Sequence, residues 1–306
     1  MRTSLPLVFL CLAGPVLALE SPPALSSQVE WRADTPFLAE GRNEKLDLYL
    51  PKNRKAGEIS PAILLIHGGG WKEGDKRQAR EIEFGTFFAE NGFVAASVNY
   101  ALRAAGRFPI NLQDCKNGIR YLRAHAAELR IDPDRIAVMG GSAGGHLALM
   151  VAYTADDPAL SPPQPYPGVS ARVKAVVDFY GITDINRRKK TDTDGKPTEL
   201  RGINDEDKSV FGSDPHGWKK ASPVFYVRRE VPPTLIVHGK KDTTVDRDQS
   251  QLLADALQKA GAEVELVWLQ QAGHSFSLRY GKPKEQAEPL EKNLEPVVLR
   301  FLKKYL

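Results

Sequence analysis

The segment Arg135-Ile136-Ala137-Val138-Met139 runs directly into Gly140-Gly141-Ser142-Ala143-Gly144-Gly145, and the chain continues as His146-Leu147-Ala148-Leu149-Met150. The order is apolar strand, glycine-flanked serine, apolar helix. A turn this sharp leaves little room between strand and helix, and glycines at its flanks remove the side chains that would collide there. The residue at its apex is forced into a strained backbone conformation. Its side chain is pushed out at the carboxyl edge of the sheet, beside the free N–H groups and the positive dipole end of the helix. Ser142 is therefore a candidate nucleophile, set in a chain that must alternate strands with helices.

The rest of the sequence supplies that alternation. Residues 45–50, 62–67, 93–98, 135–139, 173–179, 234–238 and 263–269 read as strands, several of them continuous apolar runs suited to burial on both faces. Helical patterns cover 76–91, 111–129, 142–154, 248–260 and 284–305. Together they predict an α/β fold with a mostly parallel central sheet and helices on both faces. With 306 residues and 42% hydrophobic content the chain can enclose one large core, and 19–306 is read as a single catalytic domain.

Two irregular stretches are expected to be loops, because the sheet pattern resumes after each: one holding Pro158, Pro162, Pro163, Pro165 and Pro167, the other the polar run 186–207. The second contains Arg187-Arg188-Lys189-Lys190, which reads either as solvated surface or as a lid touching an acidic substrate.

Arg2, the apolar run 5–12, Gly14-Pro15 and Val16-Leu17-Ala18 predict a signal peptide over 1–18, and hence secretion or periplasmic export. The run is short for a bilayer span and Pro15 interrupts it, so no membrane association is expected after cleavage. Cys11 would leave with the signal, and Cys115 alone can form no internal disulfide. The net charge of +4 is dispersed, with no basic stretch interleaved with aromatics, so nucleic acid is not an expected partner.

The strand at 62–66 ends in His67-Gly68-Gly69-Gly70-Trp71. Attack on an ester carbonyl builds negative charge on oxygen, and prealigned backbone N–H groups lower that barrier by several kcal/mol, about 3 for one donor. Only glycines let the main chain approach so closely. The two glycine-rich motifs together resemble the α/β-hydrolase superfamily of serine esterases. With Trp71 and the later His238-Gly239-Lys240-Lys241-Asp242-Thr243-Thr244-Val245, the chain is similar to carbohydrate esterases of the acetyl-xylan and feruloyl type. The resemblance implies Gly69, Gly70 and Ala143 as oxyanion-hole donors. Trp71 is either a packing aromatic under the loop or part of the substrate site.

A serine nucleophile requires a histidine within reach and a carboxylate behind it. Of six histidines, His67 belongs to the glycine loop, His125 to a surface-looking helix, His146 to the helix after Ser142, His216 to a polar loop and His238 to a strand end. His274, in Gln271-Ala272-Gly273-His274-Ser275-Phe276, lies between the last strand and the C-terminal helix, where a loop can swing an imidazole over Ser142. Asp242 follows strand 234–238 and emerges at the same sheet edge, in the order serine, aspartate, histidine stated for this fold. Its rivals are Asp246, read as a cap of the next helix, and Asp178, read as holding a loop by hydrogen bonds.

The expected chemistry is acyl transfer through an acyl-enzyme. The resemblance and the export signal imply short-acyl esters, acetyl or feruloyl groups on plant polysaccharide. A serine peptidase or a small-molecule amidase is the alternative on this fold. A non-catalytic binding module is disfavoured because serine, acid, histidine and oxyanion glycines are all present. No metal or other cofactor is expected, since the chain lacks His-Glu-x-x-His, paired cysteines and a glycine-rich loop ending in Lys-Ser or Lys-Thr.

Overall fold

The apolar runs assemble into one mixed sheet. In a computed structural model, residues 25–202, 204–279 and 290–306 are described, and the expected signal segment 1–18 lies outside them. The chain runs through β1 (Val29–Pro36), β2 (Lys45–Pro51), β3 (Ser60–Ile66), α1 (Ala79–Glu90), β4 (Val94–Val98), α2 (Ile110–Ala124), α3 (Ala126–Leu129), β5 (Ile131–Gly141) and α4 (Ala143–Tyr153). It continues through β6 (Ala175–Phe179), β7 (Lys189–Thr191), β8 (Pro197–Leu200), α5 (Asp205–Phe211), α6 (Pro215–Lys220), β9 (Thr234–Gly239), α7 (Asp248–Ala260), β10 (Val264–Leu269) and α8 (Glu295–Tyr305).

Eight strands lie in the order β1-β2-β4-β3-β5-β6-β9-β10, and only β2 runs against its neighbours. The pleat sorts alternate residues to opposite faces. Leu64 and Val138 pack with Leu112, Leu147 and Leu253 of α2, α4 and α7, whereas Ile63 and Leu65 pack with Phe84, Phe88, Val298 and Phe301 of α1 and α8. The free thiol of Cys115 is buried in the first of these layers. Pairing of Ile66 with Gly140, Gly141 with Phe179, Phe179 with Val237 and Gly239 with Leu269 aligns the carboxyl ends of β3, β5, β6, β9 and β10. The loops that follow these strands therefore leave one edge together.

The structure departs from the sequence reading in five places. Strand β1 had no periodic signal, because it is an edge strand with charged side chains, a bulge between Arg32 and Thr35 and mostly solvent-facing positions. The helix pattern 111–129 breaks at His125 into α2 and α3, and α8 starts at Glu295, with 284–289 outside the described residues. The α1 pattern begins three residues late, at Ala79, because the Arg77 N–H is turned onto Asp75 Oδ1 at 2.7 Å. The run 186–207 is not all loop: β7 and β8 pair as a small antiparallel hairpin, and α5 begins at Asp205. Asp192 Oδ1 holds the hairpin turn by accepting from Asp194 N at 3.0 Å and Lys196 N at 2.8 Å. These polar, local bonds leave no apolar alternation to read. The proline-rich stretch contains only one 3₁₀ turn, Pro158–Leu160.

Leu64 is fully buried, and α2 comes so close at Gly118 that a Cβ there would lie 3.0 Å from the Leu64 methyls. Leu64→Ala is expected to cost about 3 kcal/mol, read as a lower urea midpoint at unchanged m. A loss below about 1 kcal/mol would contradict this packing.

Candidate active site

Ser142 joins β5 to α4 at φ 59° and ψ −124°. Its N–H donates to Phe179 O at 2.9 Å and its carbonyl accepts from His146 N at 3.0 Å, so both peptide groups are tied down. Behind it, Gly144 lies against the main chain of β3 so closely that a Cβ would overlap the Ile66 and His67 carbonyls. The hydroxyl is left facing a cleft of about 570 Å³ lined by the glycine loop, Arg80, Arg188, Val245 and His274.

The structure brings the three side chains singled out from sequence into one hydrogen-bonded chain. His274 Nε2 lies 3.1 Å from Ser142 Oγ, and His274 Nδ1 lies 2.7 Å from Asp242 Oδ2. With Nδ1–H donating to the carboxylate, Nε2 is free to accept the serine proton. Asp242 is fully buried, and its Oδ1 accepts from Thr244 N at 2.8 Å and Val245 N at 2.9 Å. Burial alone would raise this carboxyl, but hydrogen bonds from His238 and His274 outweigh it and hold Asp242 well below the usual carboxylate range.

His238 and Tyr180 are contributors that sequence reasoning missed. His238 Nε2 sits 3.2 Å from Asp242 Oδ2 and 3.1 Å from Val245 O, while its Nδ1 lies 2.7 Å from Ser250 Oγ. Nε2 faces two acceptors and so donates, while Nδ1 meets the serine hydroxyl. Its spacing, four residues before Asp242 at the end of β9, was the available signal. Tyr180, at φ 44°, places its ring 4.7 Å from that of His274, and its hydroxyl donates to Phe276 O at 3.1 Å. Arg80 donates to the same hydroxyl and pairs with Glu81 at 2.7 Å. Burial pushes the phenol up to about 12, so it remains a donor. Nothing in the sequence around Tyr180 announced this role.

The glycine loop is held from behind. His67 stacks on Tyr100 at 4.4 Å, its Nδ1 lies 2.7 Å from Gly68 O, and burial lowers its pKa. A Cβ on Gly68 would stand 3.4 Å from Ser142 Cβ, which sets the loop beside the hydroxyl. Among the described residues, no acceptor engages the backbone N–H groups of Gly69, Gly70 or Ala143. Trp71 packs under the loop, 2% exposed, and borders the cleft. Its indole donates to His146 Nδ1 at 3.1 Å, and His146 Nε2 donates to Ala221 O at 2.6 Å. Burial pushes His146 down to about 4 and keeps it neutral in this relay.

The rival carboxylates lie apart from His274. Asp246 does not cap α7 with its side chain, as expected from sequence; its Oδ2 accepts from Lys189 N at 2.8 Å and anchors the hairpin. Asp178 lies against the loop at Gly181, although neither of its oxygens completes a hydrogen bond of full geometry among the described residues. Burial pushes it up to about 7, only partly offset by His238 and the Gly181 N–H.

A family model, BD-FAE, matches residues 46–257, from β2 into α7. The chain belongs to the BD-FAE family. Esterase LipQ of Mycobacterium tuberculosis is 32% identical over 248 residues, which cover 80% of this chain and 57% of that relative. The probable carboxylic ester hydrolase LipM of the same organism is 30% identical over 78% of this chain and 54% of its own length. This family member therefore spans little more than half the length of these curated relatives. Among solved structures, a truncated carbohydrate esterase from gut microbiota has a TM-score of 0.78 at 24% identity, covering 93% of this chain and 99% of that one. A thermophilic esterase of Thermogutta terrifontis, Est2 with butyrate bound, has a TM-score of 0.70 at 28% identity, covering 91% and 94%. The α/β-hydrolase fold and the esterase resemblance expected from the motifs agree with these matches.

Asp178 gives a test of the electrostatics behind Ser142. The folded chain keeps a proton on Asp178 up to about pH 7, whereas the unfolded chain releases it near the ordinary value of 3.8. Its contribution to stability therefore falls as pH rises through that window. Asp178→Asn, an isostere of the protonated acid, is expected to gain stability relative to the parent by a few kcal/mol between about pH 4 and pH 7. Denaturant titration across this range reads the difference, and a pH-independent difference would contradict the burial argument.

Proposed function

We propose that this chain is a secreted serine carboxylesterase that removes short acyl groups, acetyl or feruloyl, from plant polysaccharide. Ser142 is the nucleophile, His274 the general base and acid, Asp242 the carboxylate that orients it, and Gly69, Gly70 and Ala143 the oxyanion donors. The observation that carries this reading is the unbroken relay from Ser142 Oγ through His274 to Asp242, beside backbone donors engaged by no described residue.

The cycle follows from that geometry. His274 Nε2 takes the serine proton as Oγ attacks the ester carbonyl, and Asp242 stabilises the imidazolium. The oxyanion rests on the loop N–H groups, the alcohol leaves with the proton from Nε2, and water repeats the sequence on the acyl-enzyme. The esterase names of the relatives support the reaction class, and the carbohydrate-esterase and butyrate-bound neighbours support a small acyl group on a sugar. The apolar segment before Ala18 supports secretion.

Acetate release from acetylated xylan tests reaction and substrate together. The parent protein is expected to release acetate, with Ser142→Ala losing at least about 10³-fold in kcat and Asp242→Asn about 10⁴-fold. Hydrolysis of a small aryl acetate without acetate release from xylan would overturn the acetyl-xylan assignment, and failure to release ferulate from feruloylated xylan as well would overturn the polysaccharide assignment. Failure on all three substrates would overturn the esterase reading.

A further inference from the structure

Arg188, just before β7, turns its side chain inward and is 9% exposed. It lines the same cleft as Ser142 and His274, and its guanidinium carbon stands 5.8 Å from the centre of the Trp71 ring. Only Nη1 has a protein acceptor among the described residues, Asp207 Oδ1 at 3.2 Å. Asp207 is also paired with Arg201 at 3.4 Å, so two guanidiniums share the one carboxylate in direct contact with Arg188.

Asp246 adds a second negative charge nearby, but its carboxylate is turned to the Lys189 N–H and makes no ion pair with the Arg188 guanidinium. Arg80, also on the cleft, is matched by Glu81, and Lys72 and Glu73 bring opposite charges to the cleft lining. A buried cation without full compensation is costly. Burial draws Arg188 down to about 10, still charged at neutral pH. The position is also built to be rigid. Thr191 Oγ1 donates to Thr243 O at 2.9 Å, Arg201 N donates to Arg188 O at 2.8 Å, and Gly195 lies so close to the loop carrying Asp242 that a Cβ there would stand 2.7 Å from Lys240 O.

We propose that Arg188 binds a carboxylate carried by the ester substrate, so that the cleft selects anionic esters over neutral ones of similar size. A planar guanidinium with donors free on one side matches a carboxylate in a two-point hydrogen bond. The carboxylate belongs either to the acyl group, as in a dicarboxylic half-ester, or to the alcohol, as in an acetylated acidic sugar. The inference rests on the esterase reading and narrows its substrate class.

The test compares kcat/KM for two matched pairs, corrected for uncatalysed hydrolysis. The acyl pair is mono-4-nitrophenyl glutarate against 4-nitrophenyl valerate, and the alcohol pair is 4-acetoxybenzoate against phenyl acetate. In at least one pair, Arg188→Gln is expected to lower the anionic-to-neutral ratio about ten- to hundredfold, mainly through KM, with Arg188→Lys recovering part of it. Asp207→Asn, which keeps the guanidinium and removes its partner, is expected to raise the same ratio. Ratios unchanged in both pairs, including the case where both esters decline together, would overturn the proposal and leave Arg188 a structural residue. Glutarate and benzoate binding to Ser142→Ala, followed by calorimetry, separates the two readings. Arg188-dependent binding without any ester hydrolysis by the parent would sink the esterase assignment and keep the anion site, whereas binding that ignores Arg188 would sink the anion site.

Discussion

Ser142 is held at a positive φ that costs a residue with a side chain about 1–3 kcal/mol, and the surrounding structure over-determines it. Phe179 and His146 tie its peptide groups from β6 and α4, and the close contact of Gly144 with β3 leaves the helix no room to relax. The three central strands are thus locked to one another through the turn that exposes the hydroxyl. The glycine loop after β3 and the acid loop after β9 then need only short excursions to reach it, because the register already places their strand ends side by side.

The acid side is built with comparable redundancy. Asp242 receives two backbone N–H groups on one oxygen and two imidazoles on the other. Its negative charge is therefore stabilised before any substrate arrives, as electrostatic preorganisation requires. His238 has a further effect: it bridges Asp242 to Ser250 at the start of α7 and so restrains rotation of the carboxylate. On the opposite side, Tyr180 fixes the His274 loop through Phe276 and so limits where the imidazole can swing.

The core strands were legible because burial on both faces demands unbroken apolar runs. Ser142, Asp242 and His274 were legible because each follows such a run at a turn with marked glycine chemistry. The parts that stayed hidden depend on distant contacts. Arg188 reads as one of four consecutive basic residues, yet Lys190 is half solvated on Glu199, Lys189 pairs with Asp248, and Arg188 alone turns into the cleft. Asp246 looked like a helix cap because only its sequence neighbours were visible, whereas its partner is the Lys189 N–H on the hairpin. The hairpin and the edge strand β1 escaped notice for a related reason: short or solvent-facing strands carry polar side chains, and polar alternation has no signature.

The central claim is that folding alone makes Ser142 a nucleophile, through His274 and Asp242. Labelling with a fluorophosphonate, followed by mass-spectrometric mapping of the adduct, tests it without reference to any natural substrate. The account expects a single adduct on Ser142, formed rapidly by the parent protein and at least about 10³-fold more slowly by His274→Ala. An adduct on another residue, or a Ser142 adduct whose rate does not depend on His274, would contradict it.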